Sequence, residues 1–305
     1  MVPLNAQPYT NVYDCNEGYG LTKYKTDRFG FRNNDYIWDK INFTDKDKIL
    51  FIGDSFVHGS CVQNKYIISN NIEGFRNYNI ASSGNDPYTY TALSKLFIPI
   101  IKPKYVILIF YENDNSPDGK IFLKNLKIAN LQDRYFKFEN NKIFLSDEVN
   151  NIIHEVENFV INETKNRIAG TRPNIFKRAA RYLTLPTIRK TISRIYSNIF
   201  FKIPESTKLS IDTLNSECIN YKCIPIYGFI PISSFWEPSG ASAQKYKSSI
   251  ENYLKEKQNF YIDFSKVISK IGEKKAFAPK GTHLSLQGYR LISLEIKDFL
   301  NNNFN

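Results

Sequence analysis

The stretch Ile49–Gly59, ILFIGDSFVHG, constrains the fold more than any other part of the chain. Its apolar run Ile49-Leu50-Phe51-Ile52 has the length of a buried strand, stops at Gly53, and gives way to Asp54-Ser55 where a helix would begin. That puts a serine hydroxyl at the carboxyl end of a strand, where open α/β sheets keep their ligand sites. Backbone N–H groups at the start of the following helix could also stabilise an oxyanion. Asp and Ser are equally ordinary helix caps, so on these residues alone a cap and a nucleophile stand side by side.

The rest of the chain repeats the rhythm of strand and helix. Asn64 to Glu73 suits a helix, Tyr78 to Ala81 a short strand ending in Ser82-Ser83-Gly84, and Tyr88 to Ile101 a helix that Pro99 should end or kink. Tyr105 to Tyr111, YVILIFY, is a continuous apolar run of the kind buried on both faces of a sheet, and Glu112-Asn113-Asp114 follows it directly. After residue 205 the pattern resumes with a helix over Lys208–Tyr221, a strand over Cys223–Ile230, a helix over Gln244–Lys257 and a short strand over Phe260–Phe264. PKGTHLSLQGY, Pro279 to Tyr289, then sets His283 just before a terminal helix whose start Ser285 signals. Alternating strands and helices predict a three-layer α/β/α domain with a parallel, flavodoxin-like central sheet. The domain would span residues 48–305, preceded by an N-terminal extension, 1–47, in which Gly18 to Asn33 alternates enough for a short hairpin.

Residues of about 115–205 break the rhythm and read as a largely helical insertion. Between Asn174 and Lys202 it carries Lys177, Arg178, Arg181, Arg189, Lys190, Arg194 and Lys202 without one acidic residue. Leu185, Ile188, Ile192, Ile195 and Ile199 form a narrow apolar stripe, which fits either a cap helix on the domain or a helix lying on an anionic membrane surface. The formal net charge of +11 favours an anionic partner without choosing one, and no nucleic-acid-binding motif accompanies it. The first residues lack the basic start and apolar core of a secretory signal, and Lys95, Pro99, Lys102, Pro103 and Lys104 interrupt the most apolar region. The expectation is a cytoplasmic protein, peripheral at most to the inner membrane face. Cys15, Cys61, Cys218 and Cys223 show no metal-ligand spacing, so free thiols in a reducing compartment, no metal and no cofactor are expected.

Acyl transfer by serine needs a base, donors for the oxyanion and something to hold the base in its working tautomer. Ser55, Gly84, Asn113 and His283 occur in that order, each in a loop after a strand or before a helix. Here the sequence resembles the SGNH hydrolases, or GDSL esterases: GDSFVHG (Gly53–Gly59) is similar to the nucleophile block, SSG (Ser82–Gly84) to the oxyanion-glycine block, EN (Glu112-Asn113) to the oxyanion-asparagine block, and GTHLSLQGY (Gly281–Tyr289) to the histidine block. The resemblance covers roughly residues 48–115 and 208–300. It implies Ser55 as nucleophile, an oxyanion hole of the Ser55 N–H, the Gly84 N–H and the Asn113 side chain, His283 as base, and O-acyl (acetyl) groups on carbohydrates as substrates for hydrolysis or transfer. Two departures stand out: Tyr111 where the family has Gly two residues before the Asn, and Lys280 where it has Asp three residues before the His. The second implies a Ser-His dyad or a weakened enzyme, with Asp263 as a substitute orienter and a glycan-binding or scaffolding module as the alternative. His58 reads as a helix-face residue with a structural hydrogen bond, His154 as solvated, and Asp54 as a brace of the turn.

Overall fold

The computed structural model describes residues 6–115, 135–140, 142–155, 158 and 202–304. Its centre is a parallel sheet of β3 (Lys48–Ile52), β4 (Arg76–Asn79), β5 (Tyr105–Phe110), β8 (Ile224–Phe229) and β9 (Phe260–Asp263), in the spatial order β4-β3-β5-β8-β9. Numbered along the chain these five strands run 2-1-3-4-5, the doubly wound order of the flavodoxin-like fold. The expected α/β architecture is present.

Strand side chains alternate between two cores because the pleat has a period of two. Leu50, Ile52, Val106, Leu108 and Phe110 face the helices α2 (Pro87–Ile101), α3 (Glu205–Tyr221) and α4 (Ala241–Glu256), whose Leu93, Phe97, Ile211, Leu214, Tyr246 and Ile250 close that layer. Ile49, Phe51, Ile107 and Ile109 face the opposite layer, where α5 (Phe264–Ile271) and the terminal helix α7 (Leu286–Phe304) supply Ile268, Tyr289, Ile292 and Ile296. The expected helix to Ile101 is present, and of the two outcomes read at Pro99, an end or a kink, the end does not occur: one lost hydrogen bond is outweighed by burial of Leu93, Leu96, Phe97, Ile98 and Ile101. One local expectation is corrected. Asn64 to Glu73 forms 3-10 turns at Asn64–Tyr66 and Ile68–Asn71 in place of a helix; the Asn70 and Asn71 side chains donate to the carbonyls of Asn64, Lys65 and Ile67, competing with a helical ladder.

The N-terminal residues pack onto the domain. β1 (Asn11–Tyr13) and β2 (Lys23–Lys25) pair antiparallel, so the hairpin begins earlier than the alternation suggested. Beyond it Asp27, fully buried, accepts from the N–H groups of Phe29 and Phe31 at 2.9 Å each and from the Asn33 amide and the Trp38 indole at 2.8 Å each. Phe29 and Phe31 then meet Phe97 of α2 edge-on at 5.9 and 5.4 Å, joining the extension to the core.

The insertion contributes an antiparallel hairpin, β6 (Phe136–Glu139) and β7 (Lys142–Leu145). The basic stretch at 174–202 lies, apart from Lys202, outside the described residues. No helix among the described residues is long and apolar enough to cross a membrane.

The free-thiol expectation is overturned. Cys15 is bonded to Cys61 and Cys218 to Cys223. Cys15 and Cys61 are 46 residues apart and meet only through the tertiary fold, so no spacing pattern marks them. With free thiols gone, the argument for a reducing compartment goes too.

Candidate active site

Ser55 sits where β3 turns into α1 (Ser55–His58), a helix of a single turn. The turn needs glycine at position 53: a methyl group there would lie 2.3 Å from Val57 Cγ2 and 3.2 Å from the Ile109 carbonyl oxygen. Asp54 caps α1 by accepting the Phe56 N–H at 2.9 Å, which is the bracing role read from the sequence. Its other oxygen, Oδ2, is buried and has no hydrogen-bond partner within 3.5 Å among the described residues. Burial pushes the Asp54 carboxyl up to about 6, against the pull of the Phe56 N–H, His283 and the Asn113 amide. Behind it Asp114, also buried, accepts from the Tyr90 hydroxyl and the Tyr111 N–H at 2.9 Å each, and burial followed by the Asp54 charge drives it far above the carboxylate range.

His283 reaches Ser55 from the other end of the chain. The segment after α6 (Glu273–Ala276) folds back on itself through a bridge between Phe277 and Leu284, with Ala278 N–H on the His283 carbonyl at 2.8 Å, and Ser285 then caps α7 through the Gly288 N–H at 3.0 Å. This fold-back aims the imidazole at α1: His283 Nε2 is 2.9 Å from Ser55 Oγ. The ring also packs 5.0 Å from Phe56, which stacks in turn on Tyr111 at 4.1 Å, so Tyr111 fills an aromatic slot behind the histidine.

A carboxylate is present on the far side of the ring, and it comes from the N-terminal extension. Glu17 Oε1 lies 2.9 Å from His283 Nδ1. The same carboxylate accepts the Thr282 N–H on Oε1 and the His283 N–H on Oε2, both at 3.1 Å, while the Lys280 N–H donates to the Glu17 carbonyl at 3.1 Å. A carboxylate accepts hydrogen bonds, so the proton of the neutral imidazole belongs on Nδ1 and Nε2 is left to accept from the serine hydroxyl. The Glu17 and His283 side chains are only 12% and 17% exposed, which shields this bond from water. The dyad without a carboxylate, expected from Lys280, is therefore corrected: Lys280 is exposed and offers Glu17 its backbone. Asp263 is no orienter either; it caps α5 through the Ser265 N–H and pairs with Lys247 at 3.0 Å.

No local signal in NEGYG, Asn16 to Gly20, singles out Glu17. The one trace lies at Gly281, where a methyl group would fall 1.8 Å from Glu17 Cδ and 2.1 Å from Oε1. The histidine loop is thus cut back to admit a carboxylate from elsewhere.

Gly84 and Asn113 stand on the loops that follow β4 and β5, the two strands flanking β3. Gly84 adopts a left-handed φ of +82° and is exposed, and a methyl group there would meet nothing within 4 Å among the described residues. Asn113 is exposed in the turn Glu112–Asn115. His58 is buried with both ring nitrogens occupied: the Tyr24 hydroxyl lies 3.0 Å from Nε2 and Ser60 Oγ 3.2 Å from Nδ1, with Ser83 Oγ 2.7 Å from Ser60 Oγ. Burial, helped by Arg32, lowers His58 to about 4, so it is neutral. His154 is exposed. The sulfurs of Cys15 and Cys61 and His283 Nδ1 lie within 4.8 Å of one another, yet both sulfurs are consumed in the disulfide and offer no thiolate to a metal.

No protein-family model matches the chain, and no curated protein matches it. Solved structures do. A member of the lipolytic protein G-D-S-L family from Veillonella parvula DSM 2008 is 14% identical, with 84% of this chain and 97% of that chain covered at a TM-score of 0.42. The lipase/acylhydrolase from Enterococcus faecalis is 14% identical over 84% and 96%, with a TM-score of 0.46. A catalytic mutant of an acetylxylan esterase from Geobacillus stearothermophilus is 13% identical over 85% and 95%, with a TM-score of 0.44.

Proposed function

We propose that this chain is a serine ester hydrolase or acyltransferase of SGNH type, working through an acyl-Ser55 intermediate. The observation that carries the reading is the unbroken relay Ser55 Oγ, His283 Nε2, His283 Nδ1, Glu17 Oε1, with 2.9 Å at both contacts. In it Ser55 attacks the ester carbonyl as His283 Nε2 takes its proton, and Glu17 stabilises the imidazolium that forms. The N–H groups of Ser55 and Gly84 and the Asn113 amide would receive the oxyanion. Collapse of the tetrahedral intermediate expels the alcohol, protonated by His283. Water or a second alcohol, activated by the same base, then releases the acyl group.

Gly84 and Asn113 border open solvent, which suits an ester presented on a larger body, and an O-acetyl group on a carbohydrate is the substrate class we favour. The binding-module alternative drew its motive from the missing carboxylate, which Glu17 supplies. With both cysteine pairs bridged, an oxidising compartment fits the chain better than the cytoplasm. The test is hydrolysis of p-nitrophenyl acetate by the parent, Ser55→Ala and His283→Ala. The reading requires kcat/KM to fall at least 10³-fold in both variants, the scale for loss of a nucleophile or base; a parent no faster than Ser55→Ala refutes it as an esterase.

A further inference from the structure

The loop that delivers Glu17 is closed by short-range hydrogen bonds and joined to α1's exit by one covalent tie. Between β1 and β2 it turns through Gly18 and Gly20, both at positive φ; the Asn16 side chain accepts their N–H groups at 2.9 and 3.1 Å, Asp14 Oδ1 accepts the Cys15 N–H at 2.8 Å, the Asp14 N–H donates to the Thr22 carbonyl at 2.8 Å, and Tyr19 packs against the core. What fixes it against the nucleophile's side of the site is the pair Asp14 and Cys15. Asp14 Oδ2 accepts the Cys61 N–H at 3.2 Å, and Cys15 is bonded to Cys61 itself.

Cys61 stands at the exit of α1, two residues beyond the helix's C-cap Gly59. Its φ of +63° is one that an L residue adopts at a cost of about 1–2 kcal/mol, so something must hold it there. Its sulfur is 3.7 Å from His283 Nδ1, the same nitrogen that Glu17 holds at 2.9 Å. The bridge therefore spans the carboxylate's loop, the serine's helix and the base.

The two disulfides differ in access. Cys218 and Cys223 are both buried, at 2% and 8% exposure, and tie the last turn of α3 to the start of β8. Cys61 is 1% exposed but Cys15 is exposed, so a thiol reaches the first bridge from the Cys15 side.

We propose that the Cys15–Cys61 disulfide is a positioning element of the catalytic centre, clamping Glu17 onto His283, so that its reduction slows turnover. The proposal rests on the serine-hydrolase reading for its kinetic consequence. The chemistry is thiol–disulfide exchange. A thiolate of a dithiol reductant bonds to Cys15 Sγ and Cys61 leaves as a thiolate that takes up a proton. The reductant's second thiolate then displaces Cys15 and closes the reductant's own cyclic disulfide, so that two electrons pass to the protein. Glu17 is then held to the histidine loop by hydrogen bonds alone, three on its carboxylate and one on its carbonyl, and its loop must be ordered to make them, at an entropic cost the covalent tie had lowered.

The experiment measures p-nitrophenyl acetate hydrolysis by the oxidised full-length protein, by Cys15→Ser with Cys61→Ser, and by Cys218→Ser with Cys223→Ser, each with and without Glu17→Gln. The clamp predicts a kcat about tenfold or more lower for the first pair with KM changed less than twofold, no change for the second pair, and no further loss when the first pair is combined with Glu17→Gln. In Cys218→Ser with Cys223→Ser, dithiothreitol should lower kcat and reoxidation restore it. Losses that multiply with Glu17→Gln, or an unchanged kcat, overturn the proposal. Amide exchange at Thr282 and His283, whose N–H groups rest on Glu17, reads the clamp without any substrate. Faster exchange on opening the bridge supports the clamp, and unchanged exchange overturns it even where an inactive parent has already refuted the hydrolase reading.

Discussion

Replacing Gly281 by alanine is the most selective perturbation of the carboxylate that the structure offers. Gly281 does not occupy the left-handed region, so its backbone accepts an alanine. The added methyl would stand 1.8 Å from Glu17 Cδ and 2.1 Å from Oε1. To reach ordinary carbon contact the carboxylate must move by roughly 2 Å, more than a hydrogen bond tolerates. The bonds to Nδ1 at 2.9 Å and to the Thr282 and His283 N–H groups at 3.1 Å would all be lost, while Ser55, His283 and the sheet stay in place. A misplacement of about 1 Å can cost 10²-fold in rate, and loss of the orienting carboxylate of a serine protease costs about 10⁴, so kcat should fall between about 10² and 10⁴-fold with KM near the parent's. Glu17→Gln should fall in the same range, and the double variant should be no slower than the worse single one. The assay is steady-state ester hydrolysis, with thermal unfolding as the check on folding. Gly281→Ala turning over at the parental rate would refute the assignment of Glu17 as the partner of His283.

Two further outcomes follow from buried groups around the site. His58, lowered to about 4 by burial, leaves the unfolded chain binding a proton that the folded one does not between that value and its ordinary 6.5. Stability from this group is therefore complete above pH 6.5 and is lost as pH falls toward 4, by about 3 kcal/mol in all. Relative to His58→Asn, the parent should lose most of that margin between pH 7 and pH 4.5 in urea melts, whereas an equal difference at both pH values would show that His58 is not held neutral. Arg32 donates to the carbonyl oxygens of Gly59 at 2.6 Å and Val62 at 2.5 Å and to Asn64 Oδ1 at 2.7 Å. Arg32→Ala strands two buried carbonyls and should cost about 3 kcal/mol in denaturant unfolding; a loss below about 1 kcal/mol would mean that water replaces the guanidinium.

The parts of this molecule that were legible in sequence are those written locally. A strand buried on both faces needs a run of apolar residues, so Ile49–Ile52 and Tyr105–Phe110 announced themselves, and the order of strands and helices left few topologies open. Ser55 and His283 stand at the ends of elements with strong local punctuation, Gly53-Asp54 before one and the Ser285 cap after the other. Glu17 had no such mark. It lies 266 residues from the histidine it holds, in a polar glycine-containing turn where one acid looks like any other. The bridge between Cys15 and Cys61 was hidden for the same reason, because only the packed fold brings the two sulfurs together. At Pro99 and at Asn70-Asn71 local rules were legible but tertiary burial and side-chain bonds decided the outcome.

A relay of this kind is defined by where its atoms lie, and the segment that carries an atom is free to vary. A carboxylate three residues before the histidine would be placed by the histidine loop itself. One supplied from the amino-terminal side must be placed by everything that holds that side down. Here the anchors form a series: Asp27 gathers the N–H groups of Phe29, Phe31, Asn33 and Trp38, Arg32 grips the exit of α1, and Cys15 is tied to Cys61. Each lies outside the blocks that carry the family resemblance, and the last of them sits two residues from Glu17. Loosening the Cys15–Cys61 tie should show first in kcat, whereas loosening Asp27 or Arg32 should also cost stability, because Phe29, Phe31 and Trp38 share one core with Leu50, Ile52 and α2. On the proposed function the extension supplies one residue of the site, Glu17, which meets His283 Nδ1 at 2.9 Å and does not depend on the side chain at position 280.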